Sequence, residues 1–588
     1  MGRGRGESSA AVSPRGAIDL VPSLTDVERL RGCPTDGMDQ NRCARERASE
    51  QPTIQRTAPR YRRQGMYSSC VGVASEQRKY TGMRVFWGGG SFQKFSMIVS
   101  IRGVCSLRHV GTLRRYRSHR SDRAVLRAVA AAAQQPQHPL LEHVGGGGGV
   151  AGRGRVHPAL AITSSTHGLT LKALGPIKKE EVIVSLPGSL QLSQDRANDP
   201  ASLTELIELV PKELWGAKLA LKLLYERYRG TESSHAAYIA NLPVGFPGVP
   251  IFFGKEDLDA LEYPPVSSQV IKRCRWLVEF SAMEDVKRLG RELFGDDVGD
   301  MLSPNMLGWA LSAVTSRAFR PGGDGSSAAM LPLIDMANHQ FTPNAGVSGS
   351  SKSSELTMKA LRDIAPGEDV SLSYGNLPND FLLLDYGFIV DRNPHDTVKL
   401  SFDPAFVEAA KAVANVGSAV DDMKIQPWQA RALDALGLND NKEVNMLWVE
   451  KDGDAPVDER LLAGVRVLCC MRERDLQEAG GLADLGKWTP ARSGAWEASV
   501  LKTLVGMGLI GLSQFSGSSV ADRKLLGGDG SPSSDRKLAV GLRLGKKDLL
   551  TGAIEALQAR MQDDGGKGKK KGKTKKEGKA KNGKGFGG

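Results

Sequence analysis

With 588 residues, 40% of them apolar, the chain exceeds the size at which one hydrophobic core keeps growing, so two folded domains plus tails are expected. The formal charge of +13 sits at the ends, +15 over residues 1–155 and +9 over 565–588; the body between them carries −11, so net charge gives no reason to assign it a nucleic-acid partner. Seven cysteines, an odd total without a CxxC pair, exclude a readable disulfide framework or zinc knuckle and fit a reducing compartment; no run reaches the roughly 18 consecutive apolar residues of a membrane-spanning helix.

Residues 1–155 read as a basic, disordered region. From Gln77 to Ser121 no acidic residue occurs while Arg and Lys recur, a composition suited to organelle targeting, with a plain basic arm or a gene-model extension as the alternative. The glycine tract Gly145–Gly149 is a linker and not a phosphate loop, because no apolar strand precedes it and no periodic helix follows. The folded part is expected from Val156.

Two short apolar runs come next, Leu169 to Leu174 and Val182 to Leu186, punctuated by Gly175-Pro176 and Pro187-Gly188; they read as paired strands. Helical spacing then takes over, as in Trp215, Leu219, Leu223 and Leu224 and again in Ile271, Trp276, Leu277 and Phe280, giving a helical insert over about residues 195–313. Strand-like runs return at Leu331 to Ile334, Glu355 to Leu361 and Val370 to Ser373. Residues 401–561 read as a second, helical domain. In it, Pro427 to Gly437 has Pro in the first turn and Gly as a stop, and Cys469 and Cys470 are expected as buried thiols on the helical run Leu461 to Met471. The segment 562–588 is a lysine- and glycine-rich tail expected to be disordered, with a solubility, targeting or anionic-partner role.

The residues that carry chemistry cluster in sequence. They are Ser316-Arg317-Ala318-Phe319, the run Leu331 to His339 ending in Asn338-His339, Pro343-Asn344-Ala345, Leu372-Ser373-Tyr374-Gly375 and Asp385-Tyr386-Gly387-Phe388. Asn338-His339 alone is a weak pattern, but it stands 36 residues ahead of Tyr374-Gly375 with Asp385 to Phe388 close behind. His167-Gly168-Leu169 followed by Ile177-Lys178-Lys179 and the Val182 run completes the set. No second His or Cys lies at metal spacing from His339, so no metal is expected.

On these residues the chain resembles the SET-domain family, in the branch of the Rubisco large-subunit lysine methyltransferase and its relatives that modify non-histone proteins, over roughly Val156 to Met561. The resemblance implies an α+β fold: a SET domain (156–400) of short β-sheets with a knot-like crossing and the helical insert, then an all-α substrate-binding domain (401–561), with disordered tails. It implies S-adenosyl-L-methionine as cofactor, bound by His167, Gly168, Leu169, Arg317, Asn338, His339 and Tyr374. Tyr374 is the catalytic candidate, holding its hydroxyl beside the transferred methyl group. Phe319, Asp335 and Tyr386 are the substrate-channel candidates. From the residues alone, Asp335 reads equally as a turn residue ending a strand, Tyr386 as core, and His339 as a core histidine. One departure stands out: relatives commonly have an acidic or basic residue at the position of His167 and then Gly-Leu-Gly, whereas Leu169 is followed here by Thr170, which bears on cofactor affinity.

The expected activity is transfer of a methyl group to a lysine of a non-histone protein. Histidine is the alternative acceptor, and a non-catalytic SET scaffold is the alternative class. Rubisco or an aldolase are the candidate substrates, the chain is expected to be a monomer without membrane or specific nucleic-acid partners, and a plastid location is expected, with cytoplasm or nucleus as the alternative.

Overall fold

The computed structural model describes residues 138–577 apart from 146–153, 166–167, 195–198, 321–326, 350–353, 417–424, 440–441, 452–453, 479, 489–493 and 529–532, with side chains to 562. The targeting-like stretch and His167 lie outside the described residues.

The folded body starts earlier than Val156. A helix spans Pro139–Gly145, and Leu140, Leu141 and Val144, spaced for one helical face, are buried in the core. Strand β1 (Arg155–Val156) then joins the main sheet. Strands β2 (Leu160–Ser165) and β3 (Gly168–Ala173) form an antiparallel hairpin, and β4 (Val182–Leu186) is a nearly continuous buried apolar run at the position expected of it. Strand β5 (Leu192–Ser193) comes just before the insert, and beyond it come β6 (Ala318–Phe319), β7 (Ala329–Met330), β8 (Asn338–His339), β9 (Ala345–Gly349), β10 (Leu356–Ala360) and β11 (Ser371–Leu372). They build a four-stranded sheet in the order β1-β4-β10-β9, a three-stranded sheet β5-β7-β6, and a parallel pair of β8 and β11. Chain segments 33 positions apart, Asn338 with Ser371 and His339 with Leu372, thus run side by side at the site.

The run Leu331 to Ile334, expected as a strand, is not one. Extended pairing stops at Met330 and the chain tightens into a 3-10 turn over Ile334–Met336, with Leu333 at φ +74° and the Asp335 amide donating to Leu331 O at 3.1 Å. Pro332 lacks the N–H that a strand ladder needs, and all of Leu331, Leu333 and Ile334 are buried, so the apolar run lines the core as a turn.

The insert is helical as expected. Its longer helices are Trp215–Tyr228, Pro264–Ala282, Glu284–Phe294 and Pro304–Thr315. The C-terminal domain is mainly helical, with one addition: β12 (Thr397–Phe402) and β13 (Lys442–Leu447) pair antiparallel, and alternate residues Val398, Leu400 and Phe402 turn inward against Val444 and Met446. Helix Ala495–Ser513 has the length and hydropathy of a membrane span, yet Val500, Leu504 and Met507 are fully buried within the domain, which is the environment of a core helix. The last helix, Ser534–Glu577, continues into the lysine- and glycine-rich segment, of which 578–588 lie outside the described residues.

Candidate active site

The parallel pairing of β8 with β11 sets the site. Ser371 lies opposite Asn338 and Leu372 opposite His339, and the Gln340 amide donates to Leu372 O at 2.8 Å. A two-residue pairing is weak by itself, and Asn344 reinforces it. The buried Asn344 side chain accepts from the Ser371 amide at 2.8 Å and donates to Asp369 O at 2.8 Å, so its one amide ties the segment that follows β8 to the backbone of the β11 segment.

The pairing delivers Tyr374 next to His339. The Tyr374 amide donates to His339 Nδ1 at 3.1 Å, and the Tyr374 hydroxyl donates to Ala337 O at 2.9 Å, immediately before Asn338. The phenol ring stacks on Tyr386 with centroids 4.8 Å apart and planes 20° from parallel; Phe388 meets the Tyr386 ring edge-on at 6.1 Å. Burial pushes the Tyr374 hydroxyl up to about 12, with Arg317 opposing the shift, and burial raises Tyr386 as well. Both phenols are therefore protonated at neutral pH and act as donors, not bases.

His339 goes the other way. Burial, with His395 adding to it, lowers its imidazole to about 4, so the ring is neutral at pH 7. Because Nδ1 accepts the Tyr374 amide, the ring proton is assigned to Nε2, which is buried and has no protein partner.

Arg317 is built in from the opposite side. Its guanidinium donates to Asp335 O at 3.2 Å and lies 3.6 Å from the Asp335 carboxylate, while its Nε is buried and unpartnered. Asp335 is buried and accepts from the Tyr238 hydroxyl at 2.5 Å. Desolvation raises this carboxyl, with Arg317 and Tyr238 holding it down. Asn338 reaches the β3 hairpin, donating from Nδ2 to the Thr170 hydroxyl at 3.1 Å, which brings it beside Gly168 and Leu169. Gly168 has φ +101° with open space where a Cβ would stand. Phe319 is buried in the β6–β7 pairing two residues after Arg317.

Comparison with known proteins completes the picture. The SET domain model matches residues 168–375, and the Rubisco LSMT substrate-binding model matches 421–550. Residues 168–375 are a SET domain. The chain's two-domain layout is that of the Rubisco LSMT-like branch. The structure of Rubisco LSMT bound to AdoMet superposes with a TM-score of 0.51 at 19% identity, covering 73% of this chain and 93% of that one. The SET domain of LSMT bound to lysine and AdoHcy superposes with a TM-score of 0.52 at 20% identity, over 74% of this chain and 92% of that one. Among curated sequences, the actin-histidine N-methyltransferase of Gallus gallus is 26% identical over 410 residues, 67% of this chain and 65% of that protein, and that of Rhinolophus ferrumequinum is 26% identical over 326 residues, 54% and 50% respectively. The chain thus spans between half and two thirds of these relatives' length.

Within this SET domain the structure gathers Asn338, His339 and Tyr374 through direct bonds, joins Arg317 to Asp335, and stacks Tyr386 on Tyr374. Sequence reasoning passed over Tyr238 and gave Asn344 no role. Tyr238 lies 97 positions from its partner on a short insert helix, where a lone tyrosine reads as core; Asn344 sits inside the motif, but its clamp is visible only once β8 and β11 are paired.

Proposed function

We propose that this protein transfers the methyl group of S-adenosyl-L-methionine to a side-chain nitrogen of a protein substrate, with lysine as the acceptor. The observation that supports this most is the Tyr374 hydroxyl, held by Ala337 O and by ring stacking on Tyr386, beside a His339 ring whose buried Nε2 has no protein partner. Those unused atoms suit the cofactor. The buried Arg317 Nε is a donor for its carboxylate, His339 Nε2–H is available to its adenine or amino-acid end, and Gly168 leaves space for close approach. When bound, the sulfonium supplies an electrophilic methyl group.

The chain's own residues do the rest. In-line displacement needs little acid–base machinery and much positioning, and a protonated, doubly fixed Tyr374 is a positioning group. It takes no proton from the acceptor, so the acceptor nitrogen has to arrive neutral. Aromatic walls from Tyr374, Tyr386 and Phe388 desolvate an ammonium, lowering it from a reference of ~10.4, and tolerate the cationic product. The actin-histidine relatives favour a second reading with imidazole as acceptor, which at ~6.5 is already largely neutral at pH 7. Incubation with labelled cofactor and either Rubisco, aldolase or actin, followed by mass spectrometry of the modified peptide, decides between them; a methyl-histidine product ends the lysine reading. A scaffold without activity is tested by thermal shift, since cofactor well above its dissociation constant stabilises a binder by a few kcal/mol. We extend the proposal to a monomer acting in a plastid, on the composition of residues 77–121; a fluorescent fusion of residues 1–155 that stays in the cytoplasm removes the plastid location.

A further inference from the structure

The final helix, Ser534–Glu577, grips the rest of the molecule through a row of cations, of which Arg543, Lys546 and Lys547 are buried. Arg536 meets Asp257 at 2.9 Å, Arg543 meets Glu262 and Asp522 at 2.6 Å, and Lys547 meets Asp522 at 2.7 Å. Lys546 differs from these in what it holds. Its fully buried ammonium lies 2.5 Å from Asp380 and 2.7 Å from Asp396, and donates to Thr397 O at 2.8 Å. Asp380 and Asp396 are the two ends of one closed loop. Asp396 accepts from the Asn379 amide at 2.9 Å, and the Asn379 side chain exchanges two bonds of 2.9 Å with the backbone of Val390.

Inside that loop lies the channel aromatic. The short helix Asn379–Phe381 runs into a π-helical turn, Leu382–Tyr386, and π turns concentrate at functional sites because they re-aim side chains. Arg273 of the insert pins the middle of the loop, meeting Asp385 at 2.7 Å and Leu384 O at 3.0 Å. Gly387, at φ +78°, sits so close to the insert that a Cβ would come within 2.9 Å of the Val249 nitrogen. Tyr386 is therefore on a loop held by the insert at its centre and by the C-terminal domain at its ends.

We propose that Lys546 is a positioning residue for the methyl-transfer channel, tying the ends of the 379–396 loop and through it setting the stacking of Tyr386 on Tyr374. The inference rests on the channel reading above, and it gives the C-terminal domain a part in the active site beyond docking a substrate. Removing the ammonium leaves two buried carboxylates facing each other without a counter-ion, and their repulsion opens the loop at its base.

The test is the 19F spectrum of the full chain labelled with 3-fluorotyrosine, with the Tyr374 and Tyr386 resonances assigned through Y374F and Y386F. Stacked rings displace each other's resonances. In K546M the Tyr386 displacement is expected to be lost, in K546M/D380N partly restored, and in R536M, which cuts a different ion pair of the same helix, kept even as stability falls. Should K546M not fold, D380N carries the test, with a smaller shift of Tyr386 expected. An unmoved Tyr386 resonance in folded K546M or D380N, or an equal shift in R536M, overturns the inference. Calorimetric binding of S-adenosylhomocysteine separates the two readings: wild-type protein with stacked resonances and no binding defeats the methyltransferase reading and not the strut, while binding with an unmoved Tyr386 defeats the strut alone.

Discussion

Tyr238→Phe removes one oxygen and keeps the ring, so it creates no cavity and isolates a single interaction. In the wild type the phenol donates at 2.5 Å to the buried Asp335 carboxylate, which also holds Arg317. A hydrogen bond to a charged group contributes about 1.5–3 kcal/mol, and the other carboxylate oxygen already lacks a partner, so a loss near 2 kcal/mol is expected at neutral pH. The pH dependence identifies the partner. Burial raises the Asp335 carboxyl in the folded state, so its ionised form destabilises the fold, and that destabilisation sets in as pH rises from the unfolded value towards the folded one. Losing the phenol raises the folded value further. The deficit of Y238F should accordingly be largest at alkaline pH, where Asp335 is ionised, and shrink as pH is lowered through its raised folded value, where Asp335 takes up its proton and no longer needs a charge-stabilising donor. Urea unfolding at several pH values reads this directly. A deficit that stays constant from alkaline pH down to the acid limit of folding refutes the assignment of Asp335 as the group the phenol serves.

Tyr374→Phe should lower kcat by about 10²-fold or more, with cofactor affinity little changed, because the hydroxyl positions the reacting centre; steady-state kinetics with calorimetry separates the two. His339 is depressed to about 4 in the fold, so its contribution to stability is present above its unfolded value of ~6.5 and is lost as pH falls towards 4. Replacing it with Gln should flatten that part of the Tm–pH profile. Thr170→Val keeps the shape but removes the acceptor for the Asn338 amide, and is expected to weaken S-adenosylhomocysteine binding by about 1 kcal/mol, several-fold in Kd. Under conditions where chemistry limits, the rate of lysine methylation should rise with pH, because the acceptor supplies its own free amine while Tyr374, pushed to about 12, stays protonated; a rate flat from acid to alkaline pH counts against a desolvated lysine.

Local pattern was sufficient for much of this protein. The buried run Val182 to Leu186, the helical insert, the Pro427 helix with its Gly437 stop, and the clustered Asn338, His339, Tyr374 and Tyr386 are all legible in the chain, because strand and helix periods and turn residues act over a few positions. The same local logic misreads Leu331 to Ile334 as a strand, since an apolar run looks alike in a strand and in a buried turn. It also starts the fold too late, because three apolar residues on the Pro139–Gly145 helix are a short stretch beside a glycine tract.

What the tertiary structure alone decided is which distant groups meet. The parallel alignment of β8 with β11, the Tyr238 bond to Asp335 and the hold of Lys546 on Asp380 and Asp396 join residues from about 30 to over 150 positions apart. Such contacts leave no period in the sequence. A buried charge or phenol is written in the chain as a single polar letter, and its partner is fixed by the desolvation cost of leaving it alone, which exists only once the surrounding core has closed over it.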